Sequence, residues 1–410
     1  MNSSCCRTTH PFDSVIPLPM SQSAARCQRS QASQFFNLAG RPGVISFGGG
    51  LPTAEGFPVD AIRAAADWVL EKEAERALQY SASAGEPELR EALARWEAQK
   101  GVPTKAENII ICSGSQQGLD LIGNLFLEPG AKFLIERPTY MGALEAFELR
   151  GPNYVTLPAD EFGLNPDMMG EECRGARLAY VMPTFQNPTG LTISAERRRK
   201  LAEKAREYDF WIFEDNPYGE LYYDEEPPLS MRAFAPERTI TLNTMSKVLS
   251  PGLRLGYFLA PKHVIDVMER LKFALDLHTS TFTQLLTARC LEKGLMENHL
   301  PEVRQIYKMH AEVMLEALEE SMPKHSEIRW TKPRGGMFIW LTLPKSIDAV
   351  ELLERCLEAP EPVAFFPGIA FYATEKESNT VRLSFVTVTP ERIRTGIRTI
   401  AECLESMLKA

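Results

Sequence analysis

Long hydrophobic runs are missing from this chain. No apolar stretch reaches the ~20 residues that cross a bilayer as a helix, and no basic region followed by an apolar core opens the sequence, so no secretion signal is visible. A basic surplus is missing too. Against 54 acidic residues there are 45 Lys and Arg, a net charge of -9, which offers no general field to hold a nucleic-acid backbone or an anionic membrane. The eight cysteines are scattered from Cys5 to Cys403 without a CxxC pair or a regular framework, which excludes a disulfide scaffold and reads as a reduced, cytoplasmic protein. Cys5 and Cys6 lie in a polar leader before Pro11 and read as idle thiols. The six histidines are equally dispersed, so no metal site built from protein ligands is expected. Neither an internal repeat nor a low-complexity linker interrupts the chain.

What is present is an ordinary globular composition, 44% hydrophobic and 24% charged, over a length that exceeds one typical domain. Residues 1–43 are polar and irregular and read as an N-terminal arm. From 44 to 294 short β-branched runs alternate with helical patterns, the sign of βαβ units and a mostly parallel sheet flanked by helices, with the first few residues of this stretch joining a second domain. Strands are expected at Ile109 to Cys112, Lys132 to Ile135, Leu178 to Met182, Phe210 to Phe213, Thr239 to Leu242 and Leu255 to Leu259. Leu119, Ile122 and Phe126 fall at helical spacing, and Ser194 is a plausible N-cap for a helix reaching about Tyr208. From 295 to 410 a long helix, a Gly335-Gly336 turn into an apolar run, a helix, the run Val381 to Phe385 and a last helix describe a smaller α+β domain.

In open α/β sheets ligands bind where strands end and helices begin, and several chemistry-bearing residues fall at such places. Gly48-Gly49-Gly50-Leu51-Pro52 lets backbone approach a ligand closely. Gly114-Ser115-Gln116 follows a strand and opens a helix, so its amides could hold a phosphate; taken alone, an ordinary glycine turn with a Ser cap is the favoured reading. Asp215, at the mouth of the run Phe210 to Phe213, could charge a heterocyclic nitrogen or merely cap the next turn. Asn187-Pro188-Thr189-Gly190 alone is a turn, and a lone lysine is usually a solvated charge. The segment Thr244-Met245-Ser246-Lys247-Val248-Leu249-Ser250-Pro251-Gly252-Leu253-Arg254-Leu255-Gly256 is different, because it sets hydroxyls, one lysine and one arginine at fixed offsets after a strand.

The Ser-Lys-x-x-x-Pro-Gly-x-Arg-x-Gly pattern, with Arg-Pro-Thr-Tyr, Asn-Pro-Thr-Gly and Asp-x-x-Tyr in that order before it, resembles the fold-type I pyridoxal-phosphate (PLP) enzymes of the class I/II aminotransferase family over roughly residues 30–405. Gly49 to Pro52 and Gln79-Tyr80 resemble the 2-aminoadipate, kynurenine, aromatic and branched-chain branch. The resemblance implies that Lys247 carries the cofactor as a Schiff base, that Asp215 pairs with the pyridine nitrogen, that Asn187 and Tyr218 bond the ring hydroxyl, and that Tyr140 stacks on the ring. It further implies a phosphate site of Ser115, Gln116, Thr244, Ser246 and Arg254, completed by Tyr80 from the second subunit of a homodimer. Arg382 would clamp the substrate carboxylate, with Gly50 and Asn187 nearby; its bland reading is a strand-edge surface charge. The residue types suit the chemistry: a lysine amine can exchange imines and move a proton, and a guanidinium matches a carboxylate bidentately.

The implied activity is ping-pong transfer of an amino group from an L-amino acid to a 2-oxo acid. Two departures bear on it. Thr244 stands where the family has Ser and keeps the hydroxyl. Ser30-Gln31-Ala32-Ser33 puts Ser33 where the branch often has an arginine facing the substrate side chain, so apolar or aromatic donors are expected ahead of 2-aminoadipate. The same fold and lysine also serve racemases and β-lyases. A regulator using the fold behind a DNA-binding module is the remaining alternative, for which the stretch before Val44 is too short.

Overall fold

The computed structural model describes residues 18–27 and 41–409; Cys5, Cys6 and Ser33 lie outside them. In chain order the strands are β1 (Ile45–Ser46), β2 (Ile109–Cys112), β3 (Lys132–Ile135), β4 (Asn153–Thr156), β5 (Ala159–Asp160), β6 (Gly163–Leu164), β7 (Leu178–Val181), β8 (Trp211–Asp215), β9 (Thr239–Thr244), β10 (Gly256–Leu259), β11 (Arg329–Trp330), β12 (Phe338–Thr342), β13 (Val363–Ala364), β14 (Phe366–Pro367) and β15 (Thr380–Ser384).

Seven of them form one sheet in the order β2-β10-β9-β8-β7-β3-β4. β10 runs antiparallel to both its neighbours, and the remaining pairs are parallel. The strands are apolar almost throughout because both faces of the sheet are covered. Alternate residues show it: Ile110, Tyr180, Phe213 and Leu242 enter one core, while Ile109, Ile111, Tyr257 and Leu259 enter a second and Ala179, Val181 and Ile212 a third. The expected strands are all present, two with the expected ends and the others with ends within two residues of them. β7 stops at Val181, since the Met182 amide leaves the ladder to donate to the Glu136 carboxylate at 2.7 Å. The reading missed β4, an edge strand whose side chains are only partly covered, so it carries no apolar run. The helix Ala195–Glu207 forms where anticipated, and the Ser194 hydroxyl accepts from the Arg197 amide.

A second sheet, β11-β12-β15-β14, is antiparallel, and the helices Leu295–Ser321 and Pro390–Lys409 pack together beside it. β1 pairs in parallel with β13, and the Ser384 amide donates to the Phe47 carbonyl at 2.8 Å. The segment after Val44 is thereby laid along the smaller sheet, which carries Gly48–Gly50 to the seam between the two sheets.

Candidate active site

All the parallel strands of the larger sheet point their C-terminal ends the same way, and five of them, β2, β3, β7, β8 and β9, lead to site residues at that edge. β2 runs through Ser113 into Gly114 and the helix Ser115–Phe126. Gly114 has φ +83°, and a Cβ there would lie 2.4 Å from Arg254 Nη2, so only glycine lets the guanidinium rest on the turn. That places Arg254 beside the N-terminus of a twelve-residue helix, where free amides and the helix dipole favour an anion. Ser115 is half-buried and Gln116 exposed, the latter donating to the Gly142 carbonyl at 3.3 Å. After β9, Thr244 and Ser246 are buried with their hydroxyls 3.0 Å apart.

Lys247 follows in a turn, and its Nζ donates to the Gly50 carbonyl at 2.7 Å. Burial, and then the positive charges of Arg382 and Arg254, bring its pKa down to about 8, so a neutral amine is accessible near neutral pH. Asp215 closes β8 and is 3% exposed. Its Oδ2 accepts from the Tyr180 hydroxyl at 2.8 Å, while Oδ1 is buried with no partner among the described residues. Burial pushes this carboxyl up to about 7, against the pull of the Tyr180 hydrogen bond.

From β15, Arg382 projects into the same region at 2% exposure, so it is no strand-edge surface charge. It donates to Asn187 Oδ1 at 2.9 Å and to the Gly48 carbonyl at 2.6 Å, and its guanidinium lies 4.3 Å from the Phe338 ring centre. No carboxylate pairs with it among the described residues, and its Nε is buried without a partner. Burial brings its pKa down to about 10. Asn187 donates in turn to the Tyr218 hydroxyl at 3.2 Å. Burial raises the Tyr140 phenol, and the charges of Asp215 and Arg382 both act on it, so Tyr140 lies between the two sheets' contributions. Tyr80 stands apart: it is 77% exposed, its ring edge-on to His278 at 5.7 Å.

Tyr180 was missed in the sequence. The signal was a tyrosine inside the otherwise apolar Leu178–Val181 strand, since a buried hydroxyl needs a partner, but nothing local says which.

The groups fit PLP on this geometry. A protonated ring nitrogen satisfies the orphaned Asp215 Oδ1, the turn at Gly114 with Arg254 and the Thr244 and Ser246 hydroxyls suits a phosphate, and Lys247 offers the amine. No cluster of three or more His, Cys, Asp or Glu among the described residues could hold a metal ion.

Comparison with known proteins agrees. The family model described as aminotransferase class I and II matches residues 42–400. The chain is 42% identical over 398 residues to an aromatic-amino-acid aminotransferase from Thermococcus litoralis, covering 95% of this chain and 94% of that one. It is 40% identical over 391 residues to a 2-aminoadipate transaminase from Thermus thermophilus, covering 94% and 96%. Among solved structures, a Pyrococcus horikoshii kynurenine aminotransferase in complex with PMP superposes with a TM-score of 0.91 at 41% identity, covering 95% of this chain and 98% of that one. With a family model matched over residues 42–400 and relatives about 40% identical over nearly the whole chain, the chain belongs to the class I and II aminotransferases and is a PLP-dependent enzyme of fold type I.

Proposed function

We propose that the protein transfers the amino group of an apolar or aromatic L-amino acid to a 2-oxo acid, with the residues above in the following roles. The observation that carries the reading is Arg382, a buried cation without a carboxylate partner among the described residues. An isolated buried charge is costly, and a substrate α-carboxylate supplies the missing anion and hydrogen bonds for both the amino acid and the oxo acid. Lys247 holds the cofactor and, once released, its Nζ takes the proton from the substrate Cα; the pKa of about 8 suits a base working near neutrality. When bound, PLP supplies the electron sink for that bond cleavage. Asp215 keeps the ring nitrogen protonated. Asn187 and Tyr218 hold the ring hydroxyl, and Asn187 also orients Arg382. Tyr140 lies against the ring face, and Ser115, Gln116, Thr244, Ser246 and Arg254 bind the phosphate.

The larger domain in this reading spans 44–294 and the smaller 295–410, with Gly50 at the seam next to the substrate. Tyr80 completes the phosphate site of a second copy in a homodimer, a role that suits an aromatic side chain held far out of its own chain. The six described cysteines are free thiols, which suits a reducing, cytoplasmic setting. For the side chain, Ser33 supplies no cation for a distal carboxylate, and Leu51, 59% exposed beside Gly50, offers an apolar wall. Relatives whose names include aromatic amino acids, kynurenine and 2-aminoadipate bracket this choice.

The test is the visible spectrum of the purified protein during addition of single amino acids without any oxo acid. A yellow band bleached by phenylalanine at least about tenfold more efficiently than by 2-aminoadipate, and absent from Lys247→Ala, is expected. Equal bleaching by the two donors sinks the side-chain preference, and a Lys247→Ala protein that still turns over sinks the assignment of the lysine.

A further inference from the structure

Lys272 has no place in the chemistry above, yet its side chain is 0% exposed. It lies in the helix Lys262–Asp276 and donates to Asp276 at 2.7 and 3.0 Å, one turn further on. Helix stability does not account for this pair. An acid on the last residue of a helix faces the negative end of its dipole, and burying a lysine to neutralise it adds a desolvation cost.

What the pair does touch is the turn at Gly114. Asp276 Oδ2 accepts from Ser113 Oγ at 3.1 Å and from Gln117 Nε2 at 2.5 Å. Gln117 Oε1 in turn accepts from the Ser113 amide at 2.7 Å. Ser113 and Gln117 bracket Gly114-Ser115-Gln116, so one carboxylate ties both ends of that turn together. The Ser113 hydroxyl also meets Thr279 Oγ1 at 3.1 Å.

Beyond Asp276 the chain reverses through Leu277, at φ +62°, and becomes the support of Tyr80. The Thr281 hydroxyl donates to the Gln79 carbonyl at 3.0 Å, and the His278 ring holds the Tyr80 ring edge-on. Gln284 joins the Thr279 carbonyl, at 2.7 Å, to the Glu86 amide, at 2.8 Å. The segment that carries Tyr80 and the turn that opens at Gly114 are thus fastened to the same few residues.

We infer that Asp276, neutralised by Lys272, is a positioning residue that sets the phosphate-binding turn of its own site and, through residues 278–284, the Tyr80 offered to the neighbouring subunit's site. The inference rests on the phosphate and dimer readings proposed above. In the dimer the grip on one cofactor and the grip on the other then share a buried junction, so loosening it weakens both contributions at once.

The experiment is reconstitution of the full-length apoprotein with PLP and, separately, with pyridoxal, which lacks the phosphate, for wild type, Asp276→Asn, Tyr80→Phe and the double variant. Asp276→Asn is expected to weaken PLP binding about tenfold while leaving pyridoxal binding and kcat at saturating PLP within about twofold. The effect of Tyr80→Phe should shrink in the Asp276→Asn background, as coupled positions do. Should Asp276→Asn fail to fold, Thr279→Val removes the Ser113 contact more gently and should weaken PLP in the same selective way. Unchanged or tighter PLP binding, the result expected if the carboxylate merely repels phosphate, overturns the proposal, as do an equal loss for pyridoxal or strictly additive effects. Wild type binding pyridoxal as well as PLP would overturn the phosphate reading itself, a separate failure.

Discussion

Asp215 sits at the last position of β8, where the larger sheet ends, whereas Arg382 sits in the middle of β15, inside the smaller one. Both are ionisable and nearly without solvent, and burial opposes the charge of each, but their partners differ. Asp215 has one hydrogen bond and one orphaned oxygen, and burial pushes it up to about 7. Arg382 is bonded to Asn187 and Gly48 and wrapped by Phe338, Phe366 and Phe371 at 4.3, 5.1 and 5.0 Å, and its pKa, though lowered, leaves it charged at neutral pH. The difference teaches that the strand-end acid needs an outside donor to become ionised, while the mid-strand base is held charged and lacks only its anion. In the proposed function the cofactor ring supplies the first and the substrate carboxylate the second.

The largest expected effect comes from breaking the acid. Asp215→Asn should lower kcat at least about a thousandfold, because a neutral amide does not hold a charged ring nitrogen. The same change should stabilise the apoprotein at high pH. The folded-state pKa of Asp215 is raised from 3.8 to about 7, so the wild type holds its proton more tightly when folded and loses stability as pH rises from about 4 through 7. The variant has no such loss. Its melting temperature without cofactor should match wild type at pH 4 and exceed it at pH 8, and a gap that does not widen with pH would show that Asp215 is not a strained buried acid.

Arg382→Lys probes the other member. A lysine keeps a positive charge but not the planar fork or its stacking, so kcat/KM should fall about a hundredfold for amino and oxo acids alike. An amine substrate without a carboxylate should be indifferent to the change. If that amine suffers equally, Arg382 shapes the fold and not the carboxylate site.

Tyr180→Phe sharpens the contrast most gently. Its hydroxyl lowers the Asp215 pKa, so removing it should raise that pKa and cost about tenfold in kcat/KM near neutrality. The acid limb of the pH profile should move to higher pH, so the loss shrinks in alkali. A loss of the same size at every pH would reduce Tyr180 to a packing residue.

Legibility in the sequence followed the same divide between strand ends and strand interiors. Asp215 ends a strand, and Asn187, Lys247 and Arg254 stand in the connections that follow strands, where nearby residues act together and leave a local pattern. Arg382 was visible only through resemblance, since one arginine in Val381-Arg382-Leu383 fits an exposed alternating strand equally well; burial between three aromatic rings separates the readings. Tyr180 and the Lys272–Asp276 pair left no pattern, because their partners are 35 and 163 or so residues away in sequence. β4 was lost for a plainer reason: an edge strand half open to solvent carries no apolar run.

By itself, the sequence determined the α/β class, most strands of the larger sheet and the turns that open at Gly114 and Lys247, because each is written in residues close together; the cofactor chemistry followed from the resemblance that motifs spread over residues 137–256 carry together. Only the tertiary structure decided that β10 reverses between β9 and β2, that β1 pairs with β13 and brings Gly48 to Arg382, and that one Asp215 oxygen has no partner among the described residues. Those outcomes depend on which distant surfaces exclude water together, and burial, unlike periodicity, is a property of the assembled chain.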